Sequence, residues 1–291
     1  MDAQVSAEEH EPSGDEVPDK TFDIELRLFV EAVYLRYHYD FRAYAPSSLK
    51  RRLRAALTQF GCRTLSQLQD RLLHDETAFA PLLDYLTVQV SDMFRDPPYF
   101  KALREQVVPM LRTYPSLKVW VAGCSTGEEA WSMAILLREE GLLERTLIYA
   151  TDINARALQV AEAGVYAADR VAGFTDNHRL SGARASLSEH YTAAYGNAVF
   201  DKRLKKHIVF SDHSLATDSV FAEMQLVSCR NVLIYFNRAL QDRAIGLFRE
   251  ALCHQGFLGI GLKESLRFSA HGEAFAEVAP TLRLFQKRGG A

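Results

Sequence analysis

The amino-acid sequence predicts an α/β protein: a doubly wound sheet, with a small all-α domain before it and a small β-insertion within it. Three observations carry this. Apolar residues recur three and four apart from Phe22 to about Leu86, the period of helices. A β-branched run, Val119-Trp120-Val121, then climbs into the glycine-bounded loop Gly123-Cys124-Ser125-Thr126-Gly127. An apolar-periodic helix (Trp131, Ala134, Ile135, Leu136) follows, which completes the strand–loop–helix order of a nucleotide-type site. Beyond it strands and helices alternate, with a strand pair late in the chain.

The first 20 residues are rich in Glu, Asp, Ser and Pro and cannot bury enough apolar surface to offset chain entropy, so a disordered acidic tail is expected. Residues 21–90 form the helical domain. Ile24, Leu28 and Val33 with Tyr34 begin its first helix. Pro46-Ser47-Ser48 opens the second, whose apolar face is Leu49, Leu53, Ala56, Leu57 and Phe60, and Gly61 ends it. Its other side carries Lys50, Arg51 and Arg54, with Arg52 on the flank. Such a face is either solvated surface or a dock for an acidic partner. Thr64 is placed to cap a third helix (Leu65, Leu68, Leu72), and a fourth runs through Phe79, Leu82, Leu83 and Leu86.

Residues 91–115 are a linker and bridging helix. Pro97 and Pro98 stop any preceding helix, and a new one spans Tyr99 to about Leu111. Arg95, beside Phe94, could clamp a carboxylate by a bidentate fork; an interdomain ion pair is the plainer reading. Residues 116–291 hold the sheet. Its second strand, Leu147 to Thr151, ends in Asp152, whose carboxylate can accept both hydroxyls of an adenosine ribose, and Asn154 caps the next helix. Residues 164–187 read as helix pieces and loop. The β-insertion, about 190–210, joins Ala198-Val199-Phe200 to His207-Ile208-Val209-Phe210 through a basic turn (Lys202, Arg203, Lys205, Lys206). Gln225 to Ser228 is a core strand, and Arg230, Asn231 and Tyr235 beyond its end are placed to face the pocket, although Tyr235 also reads as a core tyrosine. A helix (Leu240 to Leu252), a strand (Gly256 to Gly261) and a last short strand (Leu282 to Gln286) follow.

Composition narrows the function. The 291 residues hold one large or two ordinary domains, and a net charge of −3 argues against wholesale nucleic-acid binding. No apolar run approaches the roughly 18–20 residues of a membrane span, and no signal-peptide pattern opens the chain, so no membrane insertion is expected. Cys62, Cys124, Cys229 and Cys253 lack paired spacing and read as reduced thiols of a cytoplasmic protein; no metal site is expected. The pocket disfavours a kinase or NTPase, because the glycine loop leads into Glu128 and Glu129 rather than Lys and Ser/Thr. A dinucleotide fingerprint is also missing. S-adenosylmethionine fits best: its ribose suits Asp152, its cationic sulfonium and ammonium suit Glu129, and it carries no phosphate.

From about residue 22 to 288 the chain resembles the CheR-type chemotaxis receptor methyltransferases. Three blocks carry the resemblance: Val119-Trp120 with Ala122 to Glu129, then Ala150-Thr151-Asp152-Ile153, then Cys229 to Phe236. It implies a Rossmann-like S-adenosylmethionine-dependent methyltransferase fold and esterification of chemoreceptor glutamates, with S-adenosylhomocysteine as product. It implies that Gly123 belongs to the cofactor loop, Glu129 lies near the methionine moiety, Asp152 binds the ribose, and Arg230 and Asn231 contact the cofactor. Arg95 matches the arginine of a Thr-x-Phe-Phe-Arg segment, and Tyr235 a tyrosine that positions the substrate; these are the expected catalytic pair. In the same segment Gln89 stands where Asn is common, Ser91 where Thr is usual and Met93 for the first Phe. Gln89, Ser91 and Arg95 are thereby expected at the cofactor. Ser214-Leu215 stands in place of an adenine-contacting Asn-Leu pair.

The resemblance also makes Lys50, Arg51 and Arg54 a binding face for the receptors' cytoplasmic methylation helices. Members that tether to a receptor's C-terminal pentapeptide have a longer insertion with a Gly-x-Gly turn. Ala193 to Ala198 lacks that spacing, so pentapeptide-independent recognition is expected; a monomer is expected as well. Two alternatives stay open: a non-catalytic adaptor of the same fold that binds receptors or S-adenosylmethionine, and a methyltransferase for another carboxylate or a small molecule.

Overall fold

The computed structural model describes residues 20–289, so the acidic tail expected over residues 1–20 lies almost wholly outside the described residues. Four helices come first: α1 (Lys20–Tyr37), α2 (Pro46–Phe60), α3 (Leu65–His74) and α4 (Phe79–Leu86). Their ends follow local chemistry. Pro46 starts α2, Gly61 closes it in the left-handed region (φ 65°), and the Thr64 hydroxyl accepts the Gln67 N–H to cap α3. One expectation is corrected. α1 buries Phe22, Leu26, Phe29, Val30 and Val33, whereas Ile24 and Leu28 are exposed at 61% and 58%. Two overlapping stripes share this helix, and the one with two phenylalanines is the one buried.

A bridging segment follows: α5 (Pro97–Ala102), a π-helical turn (Leu103–Val107) and α6 (Val108–Leu111). The prolines therefore begin this helix rather than only end its predecessor. The wide turn precedes Pro109, which has no N–H to continue the regular ladder.

The rest of the chain runs β1 (Leu117–Ala122), α7 (Glu128–Glu139), β2 (Thr146–Asp152), α8 (Ala155–Ala163), β3 (Val165–Ala167), α9 (Val171–Leu180), β4 (Tyr191–Ala194), β5 (Asn197–Phe200), α10 (Lys202–Lys205), β6 (Ile208–Asp212), β7 (Met224–Cys229), α11 (Arg238–Ala251), β8 (Leu252–Ile260), β9 (Phe275–Ala279) and β10 (Leu284–Lys287). The main sheet has the order β6-β2-β1-β7-β8-β10-β9, parallel except for β10, which runs antiparallel to both its neighbours. From β1 the sheet grows outward in one direction through β2 and β6, then in the other from β7. The crevice at the carboxyl ends of β1 and β7 is the switch point where such sheets bind ligands.

The insertion differs from its expectation. Ile208–Asp212 does not fold back on Ala198-Val199-Phe200; it pairs in parallel with β2, from Ile148 opposite Ile208 to Asp152 opposite Asp212, as an edge of the main sheet. The small sheet is instead antiparallel, in the order β3-β5-β4, and draws one strand from the region read as helix pieces and loop. The basic residues between β5 and β6 wind into α10, capped by the Asp201 carboxylate on the Arg203 N–H. Two strands close in sequence invite a hairpin reading, but parallel pairing with β2 needs a crossover, and the chain from α8, which packs on both β2 and β6, through α10 supplies it.

The helical domain is fastened to the sheet domain by backbone. The Ala45 N–H donates to the Tyr235 carbonyl (2.8 Å), the Asn237 N–H donates to the Ala43 carbonyl (2.9 Å), and Tyr44 packs edge-on against Phe236. One continuous core runs from α1–α4 into the face of the sheet that α11 covers. Leu53, fully buried on α2, reports on this core. Leu53→Ala is expected to cost about 2–5 kcal/mol of stability by transfer loss plus a cavity. Urea unfolding followed by far-UV circular dichroism checks this.

Candidate active site

Every strand end at the switch point contributes to one cleft of about 880 Å³, within the roughly 300–1,000 Å³ usual for small-molecule sites. The loop after β1 brings Gly123, Cys124 and Ser125, and the end of β2 brings Asp152 and Ile153. The segment after β7 brings Arg230, Asn231, Val232, Tyr235 and Phe236. The linker adds Thr87 to Ser91 and Arg95, and the helical domain adds Tyr44 and Arg52.

The glycine loop is pinned before any ligand arrives. The Gly123 and Cys124 amides both donate to the Thr151 carbonyl (2.8 Å each), and Asp152 accepts the Ser125 N–H on Oδ2 (2.8 Å) and the Asn154 N–H on Oδ1 (2.9 Å). Gly123 sits at φ 71°, and a Cβ there would lie 2.4 Å from a Val232 methyl. Only glycine lets this loop close on the β7 segment. The Asp152 carboxylate retains lone pairs on both oxygens after these two bonds, so it can still accept the two hydroxyls of a ribose. Desolvation raises its pKa, against the opposing amides of Asn154, Ser125 and Ile153.

The two glutamates after Gly127 part company. Glu128 is fully buried, paired with Arg170 (2.7 Å) and accepting the Thr126 hydroxyl (2.7 Å), so it does not repel ligands in the cleft as the sequence suggested. Glu129 does line the cleft. It accepts the Ser228 hydroxyl (2.6 Å) and pairs with Arg230 (3.1 Å), whose other nitrogen holds Asp96 (2.6 Å) while its guanidinium lies 4.2 Å above the Tyr99 ring. One guanidinium thus serves two carboxylates, and the excess negative charge suits a cationic ligand. Arg230 itself also lines the cleft.

Of the remaining expected cofactor residues, Gln89, Ser91, Arg95, Asn231 and Leu215 line the cleft. Gln89 accepts the Ser125 hydroxyl (2.7 Å) and so ties the linker to the glycine loop. Ser214 is not among the lining residues. Its hydroxyl accepts the Ala216 N–H (3.3 Å) in a local turn, and His213, unread in the sequence, stands at the cleft instead. The basic face of α2 also divides. Lys50 pairs with Asp23, Arg54 lies 5.1 Å over the Phe22 ring, and Arg51 is exposed; none lines the cleft. Arg52, placed on the flank by the sequence, is the one turned inward.

Arg52 is buried, donates to the Ser48 (3.1 Å) and Leu86 carbonyls and lies 5.3 Å over the Tyr235 ring, with one terminal nitrogen unpartnered. Arg95 donates to the Val90 carbonyl (3.3 Å), which leaves its charge without a carboxylate partner among the described residues. Desolvation raises the Tyr235 pKa despite Arg52, Arg95 and Arg51 nearby, so the phenol is protonated at neutral pH and can donate. Glu264 also went unread. Its buried carboxylate accepts the N–H groups of Gly261 (2.5 Å), Ile234 (3.2 Å) and Asn231 (3.3 Å), clamping the segment that presents Tyr235. A lone glutamate after a strand offers no pattern from which to foresee that role.

A doubly wound sheet with an acidic, ribose-competent cleft at its switch point defines an S-adenosylmethionine-dependent methyltransferase. Residues 89–281 match the family described as CheR methyltransferase, SAM binding domain, and residues 24–87 match its all-alpha domain. The chain belongs to the CheR methyltransferase family. The protein Cher3 of Pseudomonas putida is 60% identical over 92% of this chain and 98% of its own. The chemotaxis protein methyltransferase of Listeria monocytogenes is 29% identical over 86% of this chain and 92% of its own. Among solved structures, the N-methyltransferase NodS of Bradyrhizobium japonicum, in complex with S-adenosyl-l-homocysteine, covers 68% of this chain and 89% of its own at 14% identity and a TM-score of 0.38. That likeness is too remote to add weight.

Losing the Asp152 carboxylate removes hydrogen bonds to a charged acceptor, about 1.5–3 kcal/mol each. Asp152→Ala is therefore expected to weaken S-adenosylmethionine binding at least about tenfold by calorimetry. The pKa shift has a sign as well. A carboxyl raised by folding favours the native state at low pH, and that contribution is lost as pH rises through its native pKa. Cofactor binding needs the ionised form, so affinity should fall as pH is lowered, starting above the range where an exposed aspartate titrates. Asp152→Asn should remove that pH dependence.

Proposed function

We propose that this methyltransferase esterifies glutamate side chains on chemoreceptors. The observation that carries the reading is the meeting of Arg52, Arg95 and Tyr235, two guanidiniums and a protonated phenol, in the cleft that Glu129 also lines. A cofactor cation and a substrate anion would thus each find the opposite charge. When bound, S-adenosylmethionine supplies a sulfonium methyl group, which passes to the attacking carboxylate oxygen and leaves S-adenosylhomocysteine.

A glutamate carboxylate is already ionised at neutral pH, so no general base is required. Arg95 and Tyr235 would orient it, and the work is positioning and electrostatics rather than proton transfer. Arg95's weak hold on Val90 suits that role, because a rigid ion pair would stabilise the resting substrate against attack. Lys50, Arg51 and Arg54 lie on the same helix as Arg52, and we assign them to the acidic flank of a receptor's methylation helices. The β4–β5 hairpin turns through only Tyr195 and Gly196, both at positive φ. We infer that it needs no pentapeptide tether and that the protein acts as a cytoplasmic monomer. Among the described residues no helix is long and apolar enough to cross a membrane.

Transfer of labelled methyl groups to a receptor cytoplasmic fragment, scored as base-labile label, tests the reading; cofactor binding without transfer would replace it with the adaptor. Arg95→Ala is expected to slow transfer about 10²–10³-fold while calorimetry finds that cofactor binding survives at least in part; unchanged turnover would remove Arg95 from the reaction. Deleting the receptor's last five residues should leave the rate unchanged, measured in the same assay.

A further inference from the structure

Behind the segment that carries Arg95 lies a buried cluster outside the cleft. Glu139 ends α7, His178 is in the last turn of α9, and His190 closes the 3₁₀ turn (Leu187–His190) that enters β4. The three side chains place ligand-capable atoms within 4.8 Å of one another. The Glu139 Oε1 lies 2.8 Å from the His178 Nε2 and 3.4 Å from the His190 Nε2. Two ligands at zinc–nitrogen and zinc–oxygen lengths of about 2.0–2.1 Å in a tetrahedral site stand roughly 3.3 Å apart.

A buried ion-pair network accounts for part of this. His178 has its hydrogen bond to Glu139, and Arg104 donates to the Glu139 Oε2 (2.5 Å) and to Glu140 (3.1 Å). It does not account for His190. That ring is only 3% exposed, and neither of its nitrogens has a hydrogen-bond partner, although one stands beside Oε1. A buried polar group left unmatched costs about 1–3 kcal/mol, so an imidazole aimed at a carboxylate off the hydrogen-bonding direction calls for another ligand.

We propose that Glu139, His178 and His190 bind a divalent transition metal ion of the zinc type, through the Glu139 Oε1 and the two Nε2 atoms. Two imidazoles and a carboxylate are a zinc donor set, with a fourth position left for water. Arg104 fixes the carboxylate by its other oxygen and leaves Oε1 free, the orienting role that outer-shell partners play. Arg104 also pairs with Glu140, whose other oxygen is held by Arg112 (2.9 Å) and Arg184 (3.1 Å). The ion would tie α7, α9 and the entry to the small sheet together. It would also steady the catalytic linker: Asn177 donates to the Met93 carbonyl (3.0 Å) and to Asp92 (3.2 Å), and the Phe94 ring lies 4.7 Å from that of His178.

The test uses the full chain, stripped with a chelator, dialysed and titrated with zinc chloride alone. Competition against a chromogenic chelator should show one tightly bound equivalent, and the unfolding midpoint should rise with free zinc. His190→Ala, which removes the 3.4 Å contact to Glu139 and leaves the hydrogen bonds of His178 and Arg104 in place, should bind that equivalent more than about 100-fold more weakly, beyond what loss of an orienting partner costs. It should also lose the zinc-dependent rise whatever its own baseline. His190→Gln, closer in volume, makes the same comparison should the smaller residue unfold. The proposal is overturned by wild type that binds no zinc, or by a His190 variant that binds and is stabilised like wild type.

Discussion

Two carboxylates spent on backbone amides hold the cleft in shape. Asp152 grips the Ser125 and Asn154 amides at one wall, and Glu264 grips those of Asn231, Ile234 and Gly261 at the other. Loops at a switch point have no ladder to satisfy their N–H groups, and a carboxylate can satisfy several at once. The pKa of each is raised, first by desolvation and against the pull of the amides it holds. These costs are borne at the two loops that present Asp152 and Tyr235 to the cleft. Stability given up locally is returned as a cleft that need not rearrange to bind.

Charge is arranged with the same economy. Arg230 lies between Glu129 and Asp96 and stacks on Tyr99, so both its terminal nitrogens are taken up by carboxylates. Arg95 and Arg52, which also line the cleft, are engaged only with carbonyls and an aromatic face. A cationic cofactor and an anionic substrate would each meet a wall with charge to spare. Both charges would lie in a partly desolvated cleft, where the interactions are stronger than at the surface.

Much of this was legible in the residues. Gly123, Glu129 and Asp152 were readable as cleft residues because a strand, a tight loop and a helix must follow in that order to make such a site. The helix ends at Gly61, Thr64 and Asn154 were likewise readable, since caps are local chemistry. What escaped depends on distance. The β6 pairing with β2 is set by a crossover that residue alternation does not show. Arg52 reads as one more charge in a basic run until helix packing turns it inward. Glu128 and Glu129 are neighbours in sequence but project in different directions, so a single electrostatic argument could not serve both.

Arg52 and Tyr44 belong to the helical domain yet form part of the wall around the cofactor cleft. The boundary between the two matched regions, at residues 87 and 89, therefore runs through the active site and not beside it. A helical domain grafted from a relative to redirect receptor choice would bring a new piece of catalytic wall with it. Any exchange of the one domain must therefore be matched at the cleft face of the other.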